Sequence, residues 1–336
     1  MNSTQQKILK LLKSNPLSPS LIAHKLGISR QALHRHLKAL LQVNQIEKHG
    51  NAPHVTYSLK KIIFESRVKE SKEYFEKYLL SQYFAQEKIK KLYSQFTKLG
   101  TKNFSKKPDF HFMLSAAALY SSNIEGNSLN LNSFLNSQMQ PKKLRPREAK
   151  EVEDLIEAYS YSKNHSLNEK NMLHAHSLLS RDFVNKNRQG AYRNEPVGVF
   201  SDSGLVYLAV EPQFIKNEMG QLFEVLHELL KRKMSPAEVF FWASWLHLVM
   251  VLIHPFSDGN GRISRLCEKW FLQEKLGEFM LLLPSEEHYF KERSNYYSSL
   301  KVGVNYWEVD FALSMNFLQI LPESLRFAVS KLESAV

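Results

Sequence analysis

Twelve consecutive residues, His254-Pro-Phe-Ser-Asp-Gly-Asn-Gly-Arg-Ile-Ser-Arg265, gather more chemistry than any other stretch of the 336-residue chain. They offer an imidazole (His254), a carboxylate (Asp258), an amide (Asn260) and two guanidinium groups (Arg262 and Arg265). An imidazole with an ordinary pKa near ~6.5 is a usable base at neutral pH. Asp258 has no Cys/His cluster beside it, which disfavours zinc. Mg²⁺ suits it better, because that ion takes one or two carboxylates and fills its shell with substrate phosphates. Gly259 and Gly261 permit positive φ and the close backbone approach that an anion nest needs. A base, a hard-metal ligand, backbone donors and two arginines together suit phosphoryl or nucleotidyl transfer, where catalysis is largely positioning and charge neutralisation.

The flanking sequence dictates how these groups are held. Residues 238–253 are apolar on nearly every side and read as a central helix. Pro255 disfavours helical geometry at His254, so this helix should stop there. Beyond the loop, Ile263, Leu266, Cys267, Trp270 and Phe271 recur at i, i+3, i+4, i+7 and i+8, a buried stripe on a helix that starts near Gly261 or Arg262. Arg262 and Arg265 lie off that stripe, near the start of the helix. The loop therefore opens onto a helix N-terminus, whose unpaired N–H groups and partial positive charge make a seat for phosphate. Phe256 is expected to anchor the loop in the core, Cys267 to pack, and His247 to be structural.

The pattern His-Pro-Phe-x-Asp-Gly-Asn-Gly-Arg-x-x-Arg is the defining motif of the Fic family, and residues 254–265 match its nine fixed positions without a departure. Further family-like features are His176, Gly190-Ala-Tyr-Arg193 upstream, and Tyr296-Tyr297 followed by Leu300 downstream. The resemblance covers about residues 105–320. It implies an all-helical catalytic domain that moves AMP from ATP to a Ser, Thr or Tyr hydroxyl of a target protein, which can be the enzyme itself. On that resemblance His254 deprotonates the target hydroxyl and Asp258 holds Mg²⁺. Asn260 with the Gly259–Gly261 amides binds the α-phosphate, Arg262 the β-phosphate, and Arg265 the γ-phosphate. Phosphate, phosphocholine or UMP transfer is a less favoured use of the same loop.

Two more segments fit the same resemblance. Val197 to Phe200, a turn at 201–204, and Leu205 to Leu208 read as a β-hairpin. The resemblance makes 197–208 a flap that holds the target by main-chain pairing, with Val199, Phe200, Leu205 and Val206 as its contact residues. Ser121 and Glu125 lie one turn apart near the end of a helical run over 111–126, and Gly126 can end it. This fits the family's inhibitory pattern, Ser/Thr-x-x-x-Glu-Gly/Asn, so Glu125 is expected to pair with Arg265 and deny the γ-phosphate its partner. In some relatives the equivalent glutamate assists AMP removal, so de-AMPylation is an alternative direction.

Charge is distributed unevenly. Of the net +12, residues 1–60 carry nine Lys/Arg against one acid, residues 61–100 nine against five, and the remainder 27 against 27. A localised positive charge suggests a polyanion partner. Helical spacing of Ile8, Leu11 and Leu12, a second helix ending at Gly27, a third N-capped by Ser29 with Leu33, Leu37, Leu40 and Leu41, and a hairpin about 45–59 resemble a winged helix-turn-helix. Its recognition helix would present Arg30, Gln31, His34, Arg35 and Lys38 to double-stranded DNA, and its wing Lys48, His49 and His54. A protein-binding module with a basic face is the competing reading, and in that spirit the whole chain could be a transcription regulator whose Fic domain senses nucleotide. A homodimer is compatible with this, though no coiled-coil heptad demands one.

The expected organisation is thus mainly α: a small α+β winged helix-turn-helix over 1–60, a helical linker over 61–104, and a Fic catalytic domain with its flap over 105–325. One cysteine forbids an intrachain disulfide, and residues 1–6 lack a signal-peptide core, so a cytoplasmic compartment is expected. The apolar stretch 240–253 is expected to be a buried helix, too short to span a bilayer.

Overall fold

The computed structural model describes residues 3–12, 16–42, 46–51, 54–59, 66–83, 86–103, 110–201 and 204–334. Chain contacts divide it into two compact units, 1–66 and 67–336. Ala52 and Pro53 of the wing turn, the 61–65 and 104–109 parts of the expected linker and domain boundary, and Asp202 and Ser203 of the flap turn lie outside the described residues.

The smaller unit contains α1 (Ser3–Leu12), α2 (Pro19–Leu26), α3 (Arg30–Gln42) and an antiparallel pair, β1 (Ile46–His49) and β2 (Thr56–Leu59). Each boundary has a local cause. Ser18 Oγ accepts from Leu21 N–H and Pro19 occupies the first helical position of α2, while Gly27 closes it at φ 63°. Ser29 Oγ accepts from Ala32 N–H at the start of α3. Ile8, Leu12, Ile22, Leu33, Leu37, Leu40, Ile46 and Tyr57 form one small core, and Leu17 pairs with Tyr57 to add a short edge to the hairpin. The expected three helices and hairpin are all present.

The larger unit is helical. It comprises α4 (Arg67–Tyr74), α5 (Gln86–Asn103), α6 (Phe110–Ile124), α7 (Leu131–Gln138), α8 (Arg147–Asn164), α9 (Glu169–Leu179), the strands β3 (Gly198–Ser201) and β4 (Gly204–Leu208), then α10 (Pro212–Lys231), α11 (Pro236–Ile253), α12 (Asn260–Leu276), α13 (Ser285–Lys291), α14 (Arg293–Ser299) and α15 (Met315–Glu333). α11 is the axis, started by a capping box in which Ser235 and Glu238 satisfy each other's backbone N–H. It packs against α12, α15 and α5. By length and composition α11 could cross a membrane, contrary to the expectation that it is too short; yet 83% of it is buried inside the protein, and it is a core helix.

The expected 61–104 linker is corrected by its packing. Val68, Phe75, Leu79, Tyr83, Ile89 and Phe96 all enter the core of the larger unit. Ser71 accepts from Trp245 Nε1–H at 3.1 Å, and Tyr83 donates to Leu318 O at 3.3 Å. The Lys/Glu content that suggested a spacer belongs to the solvent side of amphipathic helices, whose apolar stripe is enough to dock them. α12 differs too. It is buried from Arg262 to Leu272 on every side, because its charges are partnered internally: Lys269 with Glu286, and Glu268 with His247 and Tyr289.

Candidate active site

Everything converges where α11 ends and α12 begins. His254 closes α11 in left-handed geometry (φ 53°), alone among described non-glycine residues. Such a conformation costs about 1–2 kcal/mol and must be held by its surroundings. Arg193, 4% exposed, holds it. Its Nε donates to His254 O at 2.7 Å, Nη1 to Glu195 O at 2.7 Å and Nη2 to Val210 O at 2.6 Å, and its own N–H donates to Pro255 O at 2.9 Å. Arg193, at the end of the Gly190–Arg193 segment, is therefore a clamp on the backbone of His254.

The loop is braced from two more directions. Asn260 Oδ1 accepts from Phe256 N–H at 2.9 Å while Nδ2 donates to Phe256 O at 2.8 Å. Both ends of that side-chain amide are engaged, and the residue is only 2% exposed. The side chain thus shapes the loop, with one Nδ2 N–H spent on Phe256 O, and the main-chain N–H of Asn260 adds a donor at the start of α12. His176 stacks on Phe256 at 3.6 Å, accepts Gly190 N–H on Nδ1 and donates from Nε2 to Asp258 O. Burial lowers its pKa to about 4, opposed by the Asp258 carbonyl, so it serves as a neutral bridge.

The tautomer of His254 follows from its partner. Nδ1 lies 3.1 Å from Val251 O, a group that can only accept, so Nδ1 carries the proton and Nε2 keeps its lone pair. Burial lowers the His254 pKa. The Val251 hydrogen bond opposes that, Arg193 adds to it, and Glu125 and Asp258 pull the other way. Asp258 is exposed, with Oδ1 accepting Gly259 N–H at 2.6 Å. Among the described residues no group of three or more His, Cys, Asp or Glu could hold a metal. A single outward carboxylate at the mouth of a phosphate seat still fits Mg²⁺, which draws its remaining ligands from phosphates and water.

α12 begins at Asn260 after Gly259 (φ 80°), with no side-chain cap, and its first intrahelical bond is Ile263 N–H to Gly259 O. The N–H groups before it face the loop as an anion seat. Arg262 flanks the seat. Its guanidinium lies 4.3 Å over the Phe183 ring and Nη2 donates to Glu151 Oε2 at 3.3 Å, but buried Nε and Nη1 have no partner. Unpartnered buried guanidinium donors await an acceptor.

Arg265 is 1% exposed, and each of its three side-chain nitrogens donates. Nε donates to Ser121 Oγ at 2.9 Å, Nη2 to Ser121 O at 2.9 Å and to Glu125 Oε1 at 2.6 Å, and Nη1 to Tyr296 OH at 3.2 Å. The residue pair singled out at the end of α6 thus meets the last motif arginine. An ideal Cβ on Gly261 would lie 2.2 Å from Glu125 Oε1, so the carboxylate rests against the first turn of α12. Burial would raise the Glu125 pKa, but Arg265, aided by Arg262 and His254, brings it below the usual carboxylate value. Tyr297 OH donates to Ile124 O at 2.9 Å, tying the end of α6 down beside it.

β3 and β4 pair antiparallel, with a bulge between Val199 and Phe200, and Tyr207 OH donates to Leu252 O at 2.9 Å, pinning the hairpin to the last turn of α11. Phe200 is 72% and Leu205 57% exposed, whereas Val199 and Val206 are half-buried. In the smaller unit Arg30, Gln31, His34, Arg35 and Lys38 are all exposed on α3. Glu151, Phe183 and the Tyr296 hydroxyl were not foreseen as site residues; each meets the loop only through the fold, and no local spacing signals it.

Comparison with known proteins places the loop inside a matched family domain. Residues 166–272 match the Fic/DOC family and residues 4–51 an HTH domain. Protein adenylyltransferase fic-1 of Caenorhabditis briggsae is 31% identical over 97 residues, and that of Caenorhabditis elegans 30%. The match covers 29% of this chain and 17% of each relative's length. Solved structures share the fold. A Fic family protein from Desulfovibrio desulfuricans superposes with a TM-score of 0.61 at 23% identity, covering 75% of this chain and 76% of that one. A Fic domain containing signaling protein from Bacteroides thetaiotaomicron gives 0.56 at 22%, covering 74% and 97%.

Proposed function

From a chain whose catalytic unit carries a Fic/DOC-family domain, we propose an ATP-dependent protein AMP-transferase held in check by its own Glu125. The observation that carries the proposal is the Glu125 carboxylate on Arg265 and against Gly261, a built-in anion occupying an anion site.

On this reading the triphosphate lies on the N-terminus of α12. The Asn260–Arg262 amides take the α-phosphate, the expected Gly259 N–H being engaged by Asp258 Oδ1, and the unpartnered donors of Arg262 take the β-phosphate. Arg265 takes the γ-phosphate once Glu125 yields. Asp258 would hold Mg²⁺, which when bound neutralises phosphate charge. A target hydroxyl gives its proton to His254 Nε2 as its oxygen attacks the α-phosphorus, and the bond to pyrophosphate breaks. Val251 and Arg193 keep the imidazole aimed, and His176 and Asn260 keep the loop from shifting. The exposed Phe200 and Leu205, on a two-stranded sheet with an outer edge, support a target segment pairing along the flap. Exposed donors on α3 and the local excess of positive charge support a DNA-binding role for the smaller unit.

The test is label transfer. Full-length Glu125→Gly protein with Mg²⁺ and α-labelled ATP should label protein covalently, His254→Ala in that background should not, and γ-labelled ATP should leave none. Covalent γ-label without α-label would replace AMP transfer with phosphorylation.

A further inference from the structure

Behind Arg265 a line of polar groups runs into the interior. Arg265 Nη1 lies 3.2 Å from Tyr296 OH, which lies 3.0 Å from His247 Nε2, and His247 Nδ1 lies 2.8 Å from Glu268 Oε2. Tyr289 OH donates to the same Glu268 oxygen at 2.8 Å. His247 and Glu268 are fully buried, and Tyr296 and Tyr289 each 1% exposed. Such groups are costly to bury in an apolar core, and Glu268 Oε1 is left without a partner.

The chemistry of each group orders the line. Arginine can only donate, so the Tyr296 oxygen accepts from it. The Tyr296 proton then points to His247 Nε2, and His247 Nδ1–H points to the Glu268 carboxylate. No donor faces a donor, and the line ends on an acceptor from α12 itself, one turn beyond Arg265. In the braked state Arg265 has four acceptors: Ser121 Oγ, Ser121 O, Tyr296 OH and Glu125 Oε1. Displacing Glu125 removes one and leaves three.

We propose that Tyr296, oriented by His247 on Glu268, is a positioning residue for Arg265: it keeps the guanidinium in place after Glu125 leaves, so that the γ-phosphate meets a pre-formed donor. The proposal rests on the reading that Arg265 takes the γ-phosphate. Its consequence is selectivity for a triphosphate over a diphosphate, because only the former reaches Arg265. A general packing role would make no such distinction.

The experiment measures calorimetric Kd values for ATP and ADP, with Mg²⁺, in full-length Glu125→Gly protein and in that background carrying Tyr296→Phe or Arg265→Ala. Phenylalanine keeps the ring and removes only the hydroxyl. Tyr296→Phe should weaken ATP roughly ten- to a hundredfold, the scale of one hydrogen bond to a charged donor, and leave ADP unchanged. The unchanged ADP affinity itself reports an intact fold and β-phosphate site. Equal weakening of both nucleotides, or of neither, overturns the positioning role. If Arg265→Ala leaves the ATP-over-ADP preference intact, the γ-phosphate assignment itself fails, and this proposal falls with it.

Discussion

Replacing Glu125 with glycine should switch the enzyme on, and the structure bounds by how much. The carboxylate accepts a charge-assisted hydrogen bond of 2.6 Å from Arg265. Bonds of this kind contribute about 1.5–3 kcal/mol net. The Glu125 side chain is 30% exposed, so screening favours the lower part of that range. A phosphate brought to the same helix N-terminus would also sit roughly 4 Å from the carboxylate, a repulsion of at most about 4 kcal/mol at an effective dielectric of 20. Together these span about 1.5–5.5 kcal/mol and predict an increase in kcat/KM for ATP of roughly 10- to 10,000-fold. Glu125→Gln, which keeps the volume and loses the charge, should fall between. The assay is initial-rate incorporation from α-labelled ATP at subsaturating nucleotide. A ratio within a factor of about three of wild type would refute the reasoning that the carboxylate and the γ-phosphate compete for Arg265. Acid should not mimic the mutation near neutrality. The folded pKa of Glu125 is depressed, so its ion pair is fully present above the ordinary carboxylate value and is lost only as pH falls through the lowered one.

Other expectations are separately testable. In the Glu125→Gly protein the acid limb of the kcat/KM pH profile should lie below 6.5, since burial lowers the His254 pKa and the mutation removes a neighbour that raises it; a limb above 6.5 would contradict this. His176 titrates at about 4 when folded against 6.5 when exposed, so the unfolded state binds the extra proton. It should therefore cost up to about 3 kcal/mol of stability as pH falls through that window, and urea titrations of His176→Gln should lack this component. Asn260→Ala should lower kcat at least tenfold by releasing the loop from Phe256, while changing the Kd for ATP far less, which a side chain on the α-phosphate would not do. In the smaller unit, Arg35→Ala with Lys38→Ala should weaken binding to double-stranded DNA and reduce its salt slope, measured by anisotropy from low to physiological salt.

Local chemistry was the part most readable from sequence. Pro255 after an apolar helix and the stripe from Ile263 to Phe271 located the loop and the helix start, because both obey short-range rules of backbone geometry and helical period. Gly27 and Ser29 mark helix boundaries of the smaller unit for the same reason. What escaped depends on contacts far apart in the chain. The docking of the helices carrying Val68 to Phe96 was hidden by charged solvent faces, and the internal pairing of Lys269 and Glu268 by their polar identity on an otherwise apolar helix. That the Asn260 amide also bonds Phe256, four residues earlier, through both its oxygen and its nitrogen is visible only in the fold. Arg193 stood out as a residue type in a short pattern, but its grip on three carbonyls of distant segments has no sequence signature.

The most direct measurement is the intact mass of Glu125→Gly protein and any co-incubated target after exposure to ATP and Mg²⁺, beside the same protein carrying His254→Ala. An increment of one adenylate on a hydroxyl side chain, absent with His254→Ala, is the predicted result. A phosphate increment, or an adenylate that persists without His254, would contradict the account.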